Sequence, residues 1–215
     1  MNNLELGYHS LGTNYGFYLD RVPQNVLEEL GQQVNNLQFN FSKGEKHNNY
    51  LVGEIEHEYR IPPPFQTKQY IKNLSQQFEN ESQYMSFNFS LLPTLEFNDL
   101  WVNFQKKHEY NPIHNHDGVY SFVIWYQIPF TFKDELKYHY GSSDLNKCLH
   151  GRFHFLSPNP FNSKANIMSY DLDIDKSKEG YIAIFPSTLS HTVYPFYSSD
   201  EYRITRAGNI QNKLR

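Results

Sequence analysis

The sequence has very little cysteine and no long apolar run. Cys148 is the only cysteine among 215 residues, so no internal disulfide can form and a secreted disulfide scaffold is excluded. The most apolar runs, residues 122–126 and 181–185, are far shorter than the roughly 20 apolar residues that span a bilayer. An export signal has a basic segment followed by an apolar run, and the first ten residues do not contain this pattern. We therefore expect no membrane partner and a reducing location, either the cytoplasm or a virus particle assembled there.

An excess of positive charge is also missing. Nineteen Lys and Arg residues stand against 23 Asp and Glu residues, which gives a formal net charge of -4. Without a global positive field, the chain is not expected to bind nucleic acid. Aromatic residues, in contrast, make up 17% of the sequence, and each buried ring removes roughly 150–250 Å² from water. A chain of this length and composition can form one globular domain with a substantial core.

The first 94 residues are predicted to be a helical N-terminal region packed on the core. An amphipathic helix is predicted from Asp20 to Gln38, with Pro23 in its first turn. A second helix is predicted after the three prolines at 62–64, with its apolar residues on one face. Between the two helices, Asn40 to Tyr59 has the composition of a solvated loop with at most one short strand.

Residues 95–215 are predicted to be mainly β. Short β-prone runs alternate there with Pro, Gly, Asn and Asp clusters, which is typical of a sandwich or barrel. With one further strand near Phe87 to Leu91, about eight strands result, the number that forms a jelly roll. The fold class is thus mainly β with N-terminal helices (α+β), in one structural domain. The predicted strands are 101–105, 120–127, 152–156, 167–172, 181–185, 191–195 and 202–205.

Three histidines form the candidate metal site. His114 and His116 lie two residues apart, so in an extended strand they project from the same face. The pair alone is weak evidence, because the chain contains ten histidines. His191 strengthens it, because it follows a β run and a proline turn where the next strand should begin. In a jelly roll, two ligands from an early strand and a third from a late strand meet at the barrel mouth.

Arg203 and Thr205 form the candidate carboxylate site. They alternate with Ile204, so the guanidinium and the hydroxyl share one face of a strand. A guanidinium forms bidentate pairs with carboxylates, and the hydroxyl adds a hydrogen bond. This pair could hold the buried end of a dicarboxylate. Arg206 falls on the opposite face, where a solvated or structural role is expected.

Five segments together form the most specific pattern in the chain: WVNFQ at 101–105, NPIHNHDG at 111–118, SFVI at 121–124, FPSTLSHTVYPF at 185–196 and RITRAGNI at 203–210. In this order and with these gaps they resemble the superfamily of 2-oxoglutarate and Fe(II)-dependent oxygenases. More narrowly, they are similar to oxygenases of this type carried by tailed bacteriophages of aquatic bacteria. Singly, none of the segments is specific.

The resemblance implies a double-stranded β-helix core, related to the cupins, with Fe(II) at the barrel mouth and 2-oxoglutarate as cosubstrate. Carried onto this sequence, His114, His116 and His191 would hold the metal, and Arg203 with Thr205 would bind the cosubstrate. The superfamily usually has a carboxylate two residues after the first histidine, where this chain has His116. Either three histidines are used, or Asp117 supplies the carboxylate through a bulge at Gly118.

The leading hypothesis is therefore a dioxygenase that couples 2-oxoglutarate decarboxylation to hydroxylation, with O2 consumed and ascorbate as reductant. One alternative is a cupin-type metalloenzyme that does not use 2-oxoglutarate. Another is a non-catalytic jelly-roll component of a virion. The sequence does not identify the substrate, which could be a peptide or a small molecule, or the oligomeric state.

Three further features receive no functional prediction. Asp134 and Glu135 look like a charged turn, and His150 and His154 like core or edge histidines. Cys148 has no neighbouring positive helix terminus or paired histidine that the sequence reveals, so it is not predicted to be a nucleophile.

Overall fold

A computed structural model describes residues 5–12, 15–90, 94–141, 143–158 and 167–213. Antiparallel strands dominate these residues, and the helices lie mostly in the first half of the chain. The strands are β1 (Gly7–Gly12), β2 (Tyr15–Arg21), β3 (Glu45–Lys46), β4 (His57–Ile61), β5 (Leu95–Gln105), β6 (Asn111–His114), β7 (Tyr120–Gln127), β8 (Phe153–Pro158), β9 (Ile167–Leu172), β10 (Tyr181–Pro186), β11 (Ser190–Val193) and β12 (Arg203–Asn212). The helices are α1 (Gln24–Phe39), α2 (Phe65–Ser82), α3 (Tyr84–Asn88) and α4 (Phe132–Leu136).

The strands form two sheets. The larger sheet has the order β1-β2-β10-β7-β12-β5-β4-β3, and the smaller has the order β6-β11-β8-β9. The ladders within both sheets are antiparallel. The predicted fold class, mainly β with N-terminal helices, is confirmed.

Side chains point to alternate faces along the central strands, and the interior is therefore divided into two hydrophobic cores. On β7, Tyr120, Phe122 and Ile124 belong to the core shared with the helices, whereas Val123 and Trp125 belong to the core on the other face. Successive side chains of a strand point to opposite faces, so one strand supplies both cores. The sheet therefore has one face covered by helices and one face turned toward the smaller sheet.

The two predicted helices are present, and only the first starts later than predicted. α1 begins at Gln24, because Asp20 still belongs to β2 and Pro23 occupies the position before the first helical residue. α2 starts directly after the prolines at 62–64, as predicted. No helix within the described ranges is long and apolar enough to cross a membrane. The buried apolar residues of the two helices are Val26, Leu30, Val34, Leu37, Ile71, Leu74 and Phe78.

The prediction of a strand near Phe87 to Leu91 is wrong. Tyr84–Asn88 is helical instead, and Leu91 lies outside the described residues. The buried Glu79 explains the helix, because its carboxylate accepts hydrogen bonds from the backbone N–H groups of Met85 and Ser86 at the start of α3.

The first 94 residues are also less purely helical than predicted. They contribute β1, β2, β3 and β4, which occupy both ends of the larger sheet. The pocket described below uses a residue of β4, so this region forms part of the functional architecture. The division at residues 94 and 95 stays a prediction.

Candidate metal centre and dicarboxylate pocket

A pocket of about 820 Å³, including its open mouth, lies between the two sheets. One row of residues crosses its floor, because Glu58 pairs with Asn103, Asn103 with Thr205, and Thr205 with Trp125 on successive neighbouring strands. All four residues line the pocket. Trp125 therefore faces the pocket.

His114, His116 and His191 meet at one side of this pocket. Their ligand atoms all lie within 4.8 Å of one another. β6 pairs with β11 so that His114 and His191 are direct cross-strand partners, with ring centroids 4.2 Å apart. His116 lies just beyond β6, where its backbone N–H donates to the carbonyl of Ser187 at 2.8 Å. The register of the smaller sheet thus brings together the three histidines that the sequence singled out.

Hydrogen bonds fix which ring nitrogens face the pocket. Nδ1 of His114 lies 2.7 Å from the carbonyl oxygen of Pro112, and Nδ1 of His191 lies 2.9 Å from that of Leu189. A carbonyl oxygen only accepts, so in the neutral rings Nδ1 carries the hydrogen and Nε2 keeps its lone pair. A hydrogen bond from the other ring nitrogen to a carbonyl oxygen is what orients histidine ligands in metal sites.

The three rings are held in the neutral form. Burial, followed by the charge of the neighbouring His114, lowers the pKa of His116 to about 4. Burial, followed by the other two imidazoles, places the pKa of His191 well below its usual value. Burial also lowers the pKa of His114, against the opposing effect of its hydrogen bond to Pro112. At neutral pH all three lone pairs are therefore available to a metal ion.

Asp117 does not join this cluster. Its side chain is exposed, and the group of ligand atoms among the described residues contains the three histidines and no carboxylate. Gly118 does adopt a left-handed backbone, with φ of 115°, but this turn leaves Asp117 in solvent. The geometry favours the three-histidine alternative over the one that uses Asp117.

Arg203 is buried at another part of the pocket lining, with 2% of its surface exposed. Its Nε and Nη2 donate to Oε1 of Gln105, its Nη1 donates to the carbonyl of Gly151 at 2.7 Å, and Nη2 also reaches the carbonyl of Tyr194. The rings of Phe130 and Phe196 flank the guanidinium at 5.7 and 5.6 Å. Burial lowers the pKa of Arg203 to about 9, so the group is still charged at neutral pH.

The guanidinium of Arg203 has no carboxylate partner within ion-pair distance among the described residues. A buried charge without a counter-charge is costly, and an incoming carboxylate would remove that cost. Thr205 lines the same pocket two residues along β12, as the alternation predicted. Arg206 points away and is fully buried against α1, where it donates to the carbonyl of Leu30 and to Oε1 of Gln33. Its role is thus structural.

The sequence analysis missed a polar group at the pocket. Glu58, Asn103 and Asn111 all line it, and the amide oxygens of both asparagines are buried without a hydrogen-bond partner in the part of the chain that the structure describes. Burial, reinforced by Glu109, raises the pKa of Glu58 to about 8, against the opposing charge of Lys46. For Asn103, the alternation of polar and apolar residues in β5 was a usable signal, because Val102 and Phe104 face the other core.

Comparison with solved structures defines the class of fold. The chain resembles a prolyl-4-hydroxylase from Pseudomonas putida with a TM-score of 0.57 and 12% identity, over 93% of this chain and 94% of that one. It also resembles AviO1 from Streptomyces viridochromogenes (TM-score 0.51, 9% identity, 94% of this chain and 92% of that one). HygX from Streptomyces hygroscopicus, solved with nickel, 2-oxoglutarate and hygromycin B bound, gives a TM-score of 0.51 at 8% identity, over 94% of this chain and 84% of that one. At these identities the likeness shows the fold, the double-stranded β-helix.

The family follows from the sequence itself. A family model described as "Putative 2OG-Fe(II) oxygenase" matches residues 99–209, more than half of the chain. No curated protein matches the chain. The chain belongs to this family of 2-oxoglutarate and Fe(II)-dependent oxygenases.

The residues present fit these two groups. Three neutral imidazoles with converging lone pairs suit Fe(II), and a buried guanidinium without an ion-pair partner among the described residues suits a carboxylate of 2-oxoglutarate. The protein is therefore an oxidoreductase that uses Fe(II) and 2-oxoglutarate. The cupin-type alternative and the non-catalytic virion component are not favoured.

Proposed function

We propose that His114, His116 and His191 hold the iron and that Arg203 and Thr205 bind the distal carboxylate of 2-oxoglutarate. The observation that carries this assignment is the position of both groups on one pocket. His114 and His191 lie on the smaller sheet, His116 lies just beyond it, and the guanidinium lies on the larger sheet. When bound, Fe(II) activates O2 and couples the oxidation of 2-oxoglutarate to succinate and CO2 with hydroxylation of a substrate.

Each residue then has a defined task. The carbonyls of Pro112 and Leu189 orient two of the imidazoles, and the rings of Phe153 and Phe185 pack against His191 at 5.3 and 5.0 Å, which keeps water from that side. Three neutral ligands leave the full double charge on the metal, whereas a carboxylate ligand would reduce it. This site therefore attracts the dianionic cosubstrate more strongly than a site with a carboxylate.

Anaerobic titration of the Fe(II)-loaded protein with 2-oxoglutarate tests the assignment. The visible metal-to-ligand charge-transfer band of a bound 2-oxo acid should appear with the native chain. It should be lost in His114→Ala, His116→Ala and His191→Ala, because each removes a ligand, and retained in Asp117→Asn. Wild-type iron affinity in the three alanine variants, or loss of the band in Asp117→Asn alone, would contradict the assignment.

We also propose that the substrate is a peptide or small molecule whose hydrogen-bond donors meet the free amide oxygens of Asn103 and Asn111. Glu58 stays protonated at neutral pH beside them, since burial raises its pKa to about 8, and a carboxylic acid both donates and accepts. This polar group favours a substrate with amide, amine or hydroxyl groups over a purely apolar one.

Candidate peptides and small molecules can be screened by succinate formation with Fe(II), ascorbate and O2. A true substrate should stimulate turnover in the native chain. In Asn111→Ala the stimulation should fall by about tenfold or more, as for a lost hydrogen bond to a buried group, while the slow uncoupled turnover remains. Equal stimulation in Asn103→Ala, Asn111→Ala and the native chain would contradict this role.

The location of the protein is part of the proposal. Fe(II) chemistry suits a reducing compartment, so we propose that the protein acts in the cytoplasm, which is that of the host if a bacteriophage carries the gene. Copurification with virus particles at fixed stoichiometry would instead place it in the virion. Fractionation of an expressing or infected culture distinguishes the two.

A further inference from the structure

A second cluster of metal-binding side chains lies in the segment between α4 and β8, apart from the three-histidine site. His139, Cys148 and His150 offer ligand atoms that all lie within 4.8 Å of one another. Cys148 is 2% exposed, and the two histidines are half-buried. Imidazole nitrogen and thiolate sulfur are preferred ligands of Zn²⁺, and one cysteine with two histidines leaves a fourth position for water.

The Cys148 thiol keeps its proton when no metal is bound. The backbone N–H of His150 donates a hydrogen bond to the sulfur, which favours the deprotonated form. Burial acts in the opposite direction and is the larger effect, so the pKa of the free thiol is raised. The thiol is thus protonated without a metal, and binding of a divalent cation would form an S–Zn bond and release the thiol proton to solvent.

The environment of His150 points to a missing ligand. Its Nδ1 atom is buried and has no hydrogen-bond partner among the residues that the structure describes, and Oε2 of Glu135 lies 3.9 Å away. A buried polar atom without a partner calls for an explanation, and an ion in contact with the ring is one of the few that physics allows. The sequence could not reveal this, because nothing in the spacing of residues 139, 148 and 150 shows that the loop returns on itself.

Glu135 provides the charge balance that a cation would need. Its side chain is fully buried, and its carboxylate accepts hydrogen bonds from the backbone N–H groups of Tyr197 and Ser198 at 2.8 and 2.9 Å. A zinc ion with one thiolate and two neutral imidazoles carries one net positive charge. The neighbouring carboxylate offsets it, as outer-shell carboxylates do in metal sites.

We propose that His139, Cys148 and His150 bind one Zn²⁺ ion, which fastens the loop between α4 and β8. The ion would hold the loop through three protein ligands, with water in the fourth position, and the site lies next to the cosubstrate pocket along the chain. Gly151 directly follows His150, and its carbonyl accepts the Nη1 hydrogen bond of Arg203. A metal at 148–150 would therefore hold the carbonyl that positions the guanidinium.

Cobalt substitution tests this site independently of the oxygenase reaction. Co²⁺ added to the metal-stripped full chain should give a near-ultraviolet thiolate-to-cobalt charge-transfer band. Cys148 is the only cysteine, so the band can arise only there. The three-histidine site cannot produce it, since it contains no sulfur. The band should survive in His114→Ala, which disrupts the three-histidine site alone.

Three variants complete the test. Cys148→Ser should abolish the band, and His139→Ala should weaken Zn²⁺ binding at this site by about 100-fold or more, because even outer-shell partners contribute about 10- to 100-fold. His139 is half-buried, so its replacement leaves the fold intact, as circular dichroism would verify. His9→Ala, which removes an equally half-buried histidine on β1, is the matched control and should leave the band unchanged. Absence of the band in the native chain, or an unchanged band in His139→Ala, would overturn the proposal.

Discussion

At the scale of single residues, the two arginines of β12 have different tasks although both are buried. Arg203 faces the pocket, and Arg206 faces α1. Burial lowers the pKa of each to about 9, so both are charged at neutral pH. Their opposite directions follow from the two-residue period of the strand.

Replacing Arg203 should weaken cosubstrate binding. We expect Arg203→Ala to cost about 2–5 kcal/mol of 2-oxoglutarate binding, because it removes one partner of a buried charge pair. The 2-oxoglutarate affinity of Arg203→Lys should lie between that of the native chain and that of Arg203→Ala, since lysine keeps the charge and lacks the planar guanidinium. Isothermal titration of the Fe(II)- or Ni(II)-loaded protein measures this.

The control for this prediction is Arg206→Met on the opposite face of the same strand. It removes an equally buried guanidinium but should leave the 2-oxoglutarate Kd within about twofold, because distant sites without shared partners act independently. Equal losses of affinity in the Arg203 and Arg206 variants would show that general damage to β12, and not carboxylate recognition, is the cause.

Glu58 gives a prediction about pH. Its folded pKa is raised from 4.5 to about 8, so the native state keeps a proton that the unfolded state releases above its lower pKa. Stability is therefore lost as pH rises from the unfolded pKa toward about 8, by about 2–4 kcal/mol after allowance for solvent screening. Glu58→Gln should remove this loss, as urea unfolding at pH 5 and pH 8 would measure.

The matched control is Glu56→Gln, two residues away on the exposed surface. Its carboxylate is paired with Lys106 in solvent, so the stability difference between the two pH values should stay as in the native chain. If Glu58→Gln kept the native slope, the buried-acid interpretation of this residue would be wrong.

At the scale of elements, the turn that leads into β8 depends on a glycine. Gly151 has φ of 71°, and an added Cβ would lie 2.5 Å from two carbons of the Phe130 ring. The Phe130 ring packs on Arg203, and the carbonyl of Gly151 accepts a hydrogen bond from the same guanidinium. Backbone conformation, aromatic packing and guanidinium position are thus linked in one short segment.

Gly151→Ala should therefore lower both stability and cosubstrate affinity. We expect a loss of about 2–4 kcal/mol, which combines left-handed strain with the clash against Phe130. Gly180→Ala is the comparison: its φ is 82°, but its added Cβ would meet only the flexible end of Leu27 at 3.2 Å. That variant should lose about 1 kcal/mol from strain alone and keep its 2-oxoglutarate affinity. Denaturant unfolding and titration distinguish the two.

At the scale of the whole molecule, the helices and the pocket share one sheet. Tyr120 and Ile124 pack in the core shared with α1 and α2, on the face opposite the pocket, and β4 brings Glu58 to the pocket floor. The first 94 residues thus contribute to both faces of the larger sheet. We expect folding of the chain to be cooperative across residue 94.

A fragment of residues 95–215 should not fold by itself, because the helix-facing apolar surface of β7 and β10 would be exposed to water. Trp101 and Trp125 both lie within it, so tryptophan fluorescence in urea can compare fragment and full chain. The full chain should give one sigmoidal transition and the fragment none. A cooperative transition in the fragment would establish residues 95–215 as an independent domain.

The parts of this molecule that the sequence predicted are those with strong local patterns. β7, β9 and β10 have β-branched and aromatic runs, and α1 and α2 have clear helical periods, so their bounds came out within a few residues. β4, with the sequence HEYRI, looked like a loop because its burial depends on neighbours far along the chain. The short helix at Tyr84–Asn88 depends on the distant carboxylate of Glu79, which no local pattern contains.

The sequence predicted more of the candidate site than the spacing of its residues alone could show. Strand alternation placed Arg203 and Thr205 together, but the meeting of His114 with His191 depends on the register between β6 and β11, which the family resemblance supplied. Glu58, Asn111 and the His139 cluster were missed, because they are brought into place by long-range packing of polar segments. A sequence pattern records which face a residue takes and not which distant residue it meets.

The buried guanidinium of Arg203 has a consequence for the stability of the protein in a cell. It has no acidic partner within ion-pair distance among the residues described. A dianion that binds beside it therefore stabilises the native state by mass action. In a cell that is poor in 2-oxoglutarate, a smaller share of the enzyme would then be protected from unfolding.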